Sequence, residues 1–528
     1  MCGIGFVWHR EPDRTRLERD LAAIGRVQAH RGPDGHGTWV SQGGPTGIWG
    51  LAHQRLSILD LSARAAQPMR SHDGRHVLAF NGEIYNYKEL RDDLTREGIE
   101  MLAESSGDSA VVLTALAHWG PAAFARFNGM WALVLVDTVT RTALCARDRF
   151  GKKPLHIYRD AARLVIASEL KSVLAVVPDG AFGAPLHVDR VSVGNYLARS
   201  VVNHSTRTFV EEVRQLEPAS WARVALDGMP DAPFESQRYW RHPFERGPLE
   251  PLRDPVGALR AAFVRSVDLR LRSDVPVGVL LSGGLDSSAI LGAVASLGRA
   301  PNVVTLTVTS DDPASDERRF ARAAAKHCGV EPVEINVDRD PRALFDALPD
   351  AVWHNDQPLA SLSAVAHQAL MTRARELGVT VLLTGQGADE QLGGYTKYLP
   401  FYALDALRRG AWWELGRTLG GALWHTEWSR YANLGEVRRY LTPGERGGSA
   451  SRWLGPALRG VPLEHIGARG SYAEREFLDL TRFSVPMLLH YEDRMSMSRS
   501  REVRVPFLDV DLVEVLARVP AAEKLRDG

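Results

Sequence analysis

Short apolar runs punctuate this chain in two different arrangements. Gly3 to Trp8, Met130 to Asp137, Thr142 to Arg147 and Leu164 to Ser168 read as strands, and Ala110 to His118 reads as an apolar helix. The chain breaks at Pro178-Asp179-Gly180 and Gly183-Ala184-Pro185, and a short helix follows over Val191 to Ala198. The stretch from Leu216 to Leu226 returns as a last strand. From Asp231 to Pro255 proline and glycine are frequent and periodicity is weak, which predicts a linker. Val256 to Leu271 then has helical spacing. Four short strands follow it, at Val275 to Leu281, Val303 to Val308, Glu331 to Val337 and Thr380 to Thr384. Helices separate them, one opening at Ser315-Asp316-Glu317 with a capping Ser or Asp. That alternation predicts a doubly wound parallel sheet whose ligand lies at the strand C-termini. The expected division is an α/β two-domain chain: 2–230, a linker over 231–255, and 256–528.

Two glycine-rich loops end strands of the second half. After Leu280 and Leu281 comes Ser282-Gly283-Gly284-Leu285-Asp286-Ser287-Ser288, leading into a helix over Ala289 to Val294. Glycines let backbone approach a ligand, and the free N–H groups of a helix start attract anions. A carboxylate at Asp286 beside bound phosphates makes sense if Mg²⁺ bridges them. The loop differs from G-x-x-x-x-G-K-[ST] because no lysine faces the phosphates. It resembles the pyrophosphate-binding loop of the PP-loop ATP pyrophosphatases, which implies ATP as substrate. Thr384 leads into Gly385-Gln386-Gly387-Ala388-Asp389-Glu390. Asp389 and Glu390 suit a helix N-terminus, and Asp286 with Asp389, each after a glycine-rich strand end, suits a paired Mg²⁺ site.

Composition adds exclusions. Lys+Arg and Asp+Glu are each 64, giving zero net charge, so nothing points to nucleic acid or a membrane surface. Cys2, Cys145 and Cys328 are the only cysteines, neither a disulfide framework nor a metal site. No apolar run reaches the roughly 18 residues of a membrane helix, and no basic region precedes the apolar N-terminus. A cytoplasmic protein is expected.

The first half carries its own candidate chemistry. Loss of Met1 would leave Cys2 with an α-amine of pKa about 7.7–8.0 as a built-in base, the logic of an N-terminal nucleophile. Arg31-Gly32-Pro33-Asp34-Gly35 reads as a turn with a cation entering it, and Arg55 sits at a strand edge. Phe80-Asn81-Gly82-Glu83-Ile84-Tyr85-Asn86 reads as a strand ending in an Asn-Gly turn able to stabilise an oxyanion. Asp108 precedes the apolar helix. Together these residues resemble the glutaminase domain of class II glutamine amidotransferases. The resemblance implies an Ntn-hydrolase α/β/β/α sandwich, with Met130 to Asp137, Thr142 to Arg147 and Leu164 to Ser168 in its second layer. It also implies Cys2 as nucleophile and Asn81 with Gly82 as oxyanion hole. Arg55, Glu83 and Asp108, with Asn81 and Gly82, would bind glutamine. Arg147-Asp148-Arg149-Phe150-Gly151-Lys152-Lys153-Pro154-Leu155 matches a recurrent family turn.

The second half is similar to the synthetase domain of glutamine-hydrolysing asparagine synthetases, a PP-loop (HUP-like) fold. Tyr491-Glu492-Asp493-Arg494-Met495-Ser496-Met497 and Glu502-Val503-Arg504-Val505-Pro506-Phe507-Leu508-Asp509 carry the match. By resemblance Leu280, Val308, Thr384 and Gly385 border the nucleotide, Ser282 to Ser288 hold pyrophosphate, and Asp286 with Asp389 bind Mg²⁺. Gln386, Asp389 and Glu390 would face the acceptor and ammonia. The implied partners are glutamine, ATP and a carboxylate, with aspartate as default, and family members often form homodimers. Two departures stand out. Gln386 replaces the usual glutamate, and the chain stops at Leu525-Arg526-Asp527-Gly528 where relatives continue to a lysine near the pyrophosphate. Two alternatives remain: the same chemistry on another carboxylate in specialised-metabolite or cell-envelope synthesis, and a degenerate, non-catalytic regulator.

Overall fold

The computed structural model describes residues 2–177, 186–232, 235–247, 249–313, 316–336, 341–424, 454–465 and 470–525. Met1, the breaks at 178–180 and 183–185, Ser315, Val337 and residues 526–528 lie outside the described residues. The first half builds two six-stranded antiparallel sheets. In the order β10-β8-β9-β1-β3-β2, one sheet takes β1 (Gly3–His9), β2 (Gly35–Val40), β3 (Ile48–Arg55), β8 (His156–Arg159), β9 (Arg163–Ala167) and β10 (Val213–Gln215). The other, β12-β11-β7-β6-β5-β4, takes β4 (Met69–Arg70), β5 (His76–Ile84), β6 (Gly129–Asp137), β7 (Thr142–Arg147), β11 (Ser220–Ala225) and β12 (Ser236–Arg238).

Alternation along the strands explains the layering. Ile4, Phe6 and Trp8 meet Val77, Ala79, Ala132 and Val134 between the sheets. Val7 turns the other way, onto Leu17, Leu21 and Ile24 of the helix Arg14–Val27. A Cβ at Gly5 would lie 2.6 Å from Ile24, so this helix seats directly on β1. Leu78, Phe80, Trp131 and Leu133 cover the far face against the helix Asp108–Trp119. The result is an α/β/β/α sandwich.

Two expectations are corrected. Residues 163–167 join β1 rather than the second layer, with Gly5 opposite Ala167 and Val7 opposite Val165. Both faces of β9 are apolar, so its hydrophobic pattern cannot tell one sheet from the other. Asn81-Gly82 is not a turn: β5 continues through both residues, pairing Asn81 with Ala132 and Gly82 with Trp131. Glycine stands there because a Cβ would lie 2.2 Å from the Met130 carbonyl oxygen. Within 231–255, β12 pairs with β11 at the sheet edge, and a helix starts at Pro255 with Asp254 as its cap.

The second half is a parallel sheet ordered β15-β14-β13-β16-β17, made of β13 (Val277–Leu280), β14 (Val303–Thr309), β15 (Pro332–Asn336), β16 (Val381–Leu383) and β17 (Glu502–Arg504). The chain winds outward from β13 through β14 to β15, then restarts on the other side of β13 with β16. The switch point therefore lies between β13 and β16, where open α/β sheets hold their ligands.

Candidate active site

In the first half, β1, β3, β5 and the helix Asp108–Trp119 converge on a cavity of about 30 Å³ lined by Cys2, Arg55, Gly82, Glu83 and Asp108, with Leu56, Gln67 and Ser109. Asn81 reaches the same point from within β5: its Oδ1 accepts a 3.0 Å hydrogen bond from the Cys2 backbone nitrogen. Its Nδ2 is buried and has no hydrogen-bond partner, a free donor on the same side chain that holds the Cys2 nitrogen. Burial pushes the Cys2 thiol up, opposed in part by the chain N-terminus and Arg55. The thiol is therefore protonated at rest and needs a base. Arg55 is fixed by the Ser62 carbonyl at 2.9 Å and by the Asp60 carbonyl. Asp108 accepts from the Ile84 amide at 2.9 Å. Burial raises it to about 6, and burial with Asp108 and Glu502 nearby raises Glu83 well above the carboxylate range.

At the switch point the loop after β13 turns at Gly283, φ +93°, where a Cβ would strike the backbone of Glu317 and Ala321. Gly284 caps the helix Leu285–Ser296 with no side-chain bond, which leaves its first amides open. Ser282 and Ser287 hydroxyls lie 3.1 Å apart across the turn. The loop after β16 comes close: a Cβ on Gly385 would stand 3.0 Å from Asp286 Cβ. Asp286 is raised to about 6 by burial and by Asp389 and Glu390. Two carboxylates that repel each other beside open amides fit a divalent cation, with ligand oxygens completing its shell. Among the described residues no cluster of three or more His, Cys, Asp or Glu side chains is placed to hold a metal without such oxygens. Glu390 departs from this picture, because it is buried and held by Tyr395 at 3.1 Å and by Ser484. Gln386 donates to Tyr491 Oη at 3.2 Å. Lys524 is engaged by Glu476, and Lys397 by Asp479.

Between the two centres lie residues whose partners the sequence did not reveal. Leu56, Ile58, Tyr85 and Met130 pack with Val267, Val279, Leu383 and Phe507 in one buried cluster. Beside it Arg31, a turn cation in sequence, is fully buried. It donates to the Cys2 carbonyl at 3.0 Å and pairs with Glu169 at 2.9 Å and Asp493 at 3.0 Å. Lys153 also faces Asp493, and Lys152 pairs with Glu492, whose other oxygen accepts from Thr384 at 2.8 Å. The only sequence signals were the motif strings containing Lys152, Lys153 and Glu492 to Arg494. A larger cavity of about 470 Å³, lined by Arg147, His204, Trp240 and Arg494 among others, contains none of the expected site residues.

Residues 258–528 match the family model described as asparagine synthase, and residues 1–240 match a glutamine amidotransferase domain. The chain belongs to the asparagine synthase family. As a member it is a glutamine-hydrolysing carbon–nitrogen ligase. A Mycobacterium tuberculosis protein provisionally named a glutamine-hydrolysing asparagine synthetase is 33% identical over 97% of this chain and 80% of its own length. Bacillus subtilis asparagine synthetase 1 is 29% identical over 100% and 82%. A Penicillium rubens protein named amidase chyE is 28% identical over 97% and 79%. No helix among the described residues is long and apolar enough to cross a membrane.

Proposed function

We propose that this family member is a cytoplasmic asparagine synthetase that hydrolyses glutamine at Cys2 and amidates aspartate. With Met1 removed, the Cys2 α-amine takes the thiol proton, and the thiolate attacks the glutamine carboxamide carbon. Asn81 Nδ2 and the Gly82 backbone receive the oxyanion. Ammonia leaves, and water then releases glutamate from the thioester. Arg55 binds the α-carboxylate of glutamine, and Glu83 with Asp108 bind its α-ammonium group. In the second half an aspartate carboxylate oxygen attacks the α-phosphorus of ATP and pyrophosphate departs. Ammonia then attacks the acyl carbon and displaces AMP. Leu280, Val308, Thr384 and Gly385 border the nucleotide, and Ser282 to Ser288 hold the leaving pyrophosphate. Asp286 and Asp389 would hold Mg²⁺, which supplies neutralisation of phosphate charge. The buried apolar cluster between the centres suits passage of uncharged ammonia, since excluded water cannot protonate it.

The observation that carries this reading is Asn81, bonded to the Cys2 nitrogen through one side-chain atom and holding the other buried and unpaired. A second acceptor is favoured by Gln386, which hydrogen-bonds Tyr491 but cannot take a proton from attacking ammonia. Another carboxylate would then replace aspartate. The test is glutamine-dependent pyrophosphate release over a panel of carboxylates, with Cys2→Ala supplied with glutamine or ammonia. Turnover of aspartate that survives in Cys2→Ala only with ammonia supports the asparagine synthetase. Glutaminase activity without aspartate turnover transfers the reading to another acceptor, and failure of both reactions refutes it.

A further inference from the structure

Glu83 and Arg504 meet from opposite halves of the chain. Glu83 belongs to β5 and lines the Cys2 cavity, whereas Arg504 ends β17 of the parallel sheet. Arg504 Nη2 and Glu83 Oε2 stand 3.7 Å apart, and both atoms are buried without a hydrogen-bond partner. The rest of the guanidinium is fixed. Its Nε donates to Glu502, its Nη1 donates to the Arg270 carbonyl at 2.8 Å and the Arg272 carbonyl at 2.6 Å, and it lies over the Tyr85 ring. Its own carbonyl accepts from the Thr384 amide at 3.0 Å, where the loop beside the nucleotide region begins.

An isolated buried carboxylate is costly, and Glu83 is surrounded by further acids. Asp108 approaches from the Asp108–Trp119 helix and Glu502 from β17, while the chain N-terminus and Arg504 oppose them. Cys2 and Arg55 line the same cavity, and Tyr85 lies on the Arg504 side. Arg504 is thus the guanidinium that directly faces Glu83, and its rigid anchoring prevents it from swinging in to quench the carboxylate.

We propose that Arg504, supplied by the synthetase half, is a positioning residue for glutamine: it offsets the neighbouring acids so that Glu83 can ionise against the α-ammonium group, and it aims the carboxylate there while leaving it unbonded. This rests on the assignment of Glu83 to glutamine binding. Because the Arg504 carbonyl also anchors Thr384, the same residue ties the glutamine pocket to the nucleotide-side loop.

The test compares Arg504→Met, Arg504→Lys and Glu502→Gln in the full chain, reading kcat and KM for glutamine hydrolysis against pH. One unit of carboxylate pKa changes the ionised fraction about tenfold below that pKa. Arg504→Met should therefore raise KM for glutamine about tenfold and move the acidic limb of kcat/KM to higher pH, with Arg504→Lys recovering part of the loss. Glu502→Gln removes a repelling acid and should move the limb to lower pH, a shift of opposite sign that simple damage to packing would not produce. Ammonia-dependent pyrophosphate release reports whether the synthetase half is folded. An unmoved limb and KM in folded Arg504→Met, or shifts of the same sign in Arg504→Met and Glu502→Gln, overturn the proposal. Glu83→Gln separates the underlying assignment: if it leaves KM for glutamine unchanged, the pocket reading itself fails. If Glu83→Gln raises KM and the Arg504 variants do not, only the positioning role fails.

Discussion

Asn81→Ala should disable glutamine hydrolysis while sparing chemistry in the second half. The substitution removes two things: the acceptor that fixes the Cys2 nitrogen at 3.0 Å, and the buried, unpaired Nδ2. The first is an ordinary hydrogen bond, worth about 1 kcal/mol net. The second acts only once charge has developed on the attacked oxygen, and loss of one such donor typically costs about 10²–10³ in kcat, or about 2.7–4 kcal/mol. Because the donor is unpaired before the reaction, the loss should fall on kcat and leave KM for glutamine nearly unchanged. Asn81→Asp separates the two contributions. It restores an acceptor for the Cys2 nitrogen but offers an anion where a donor is needed, so it should be no more active than Asn81→Ala. The assay is glutamate release over a range of glutamine concentrations, with ammonia-dependent pyrophosphate release as the control for folding. A kcat within about threefold of wild type, or a loss confined to KM, would refute the oxyanion role.

Other substitutions probe neighbouring features. Gly82→Ala places a Cβ 2.2 Å from the Met130 carbonyl, so β5 must separate from β6 and thermal stability should fall by several degrees in calorimetry. Asp493→Asn leaves buried Arg31 and Lys153 short of an anion and should cost about 3–5 kcal/mol in denaturant unfolding. The sign of the pH dependence follows from Asp108, raised to about 6 by burial, and from Glu83, which burial raises well above the carboxylate range. In the proposed pocket glutamine's ammonium group needs these carboxylates ionised, so kcat/KM should already be falling as pH drops toward 6 and fall further below it. A flat profile down to pH 5 contradicts this. Asp286→Asn should abolish ATP-dependent pyrophosphate release while glutamate release persists.

Sequence pattern was most informative where chemistry depends on neighbours in the chain. Ser282 to Ser288 could be placed at a strand end because an apolar strand, glycines and a helix start are contiguous. Asn81-Gly82 misled for a physical reason: the glycine serves a close approach to β6, which the sequence cannot distinguish from a turn. Residues 163–167 were assigned to the wrong layer because a strand buried on both faces lacks the polar side that marks orientation. Arg31 and Arg504 carried no local signal of their partners, since Asp493 lies 462 residues from Arg31 and Glu83 lies in the opposite half from Arg504. Their importance comes from burial and pairing, which only the folded chain establishes.

The charges at the junction also limit how this protein could be cut or recombined. The first half contributes Arg31, Lys152 and Lys153, and the second contributes Glu492 and Asp493. A fragment ending in the 231–255 stretch would present three cations to solvent with those two counter-ions gone, together with the apolar surface of Leu56, Ile58 and Met130. The complementary fragment would expose the orphaned acids. Neither half is therefore a freely exchangeable module. A chimera that borrows one half from a relative should assemble only if the lysine pair, the arginine and their acidic mates are inherited as a matched set.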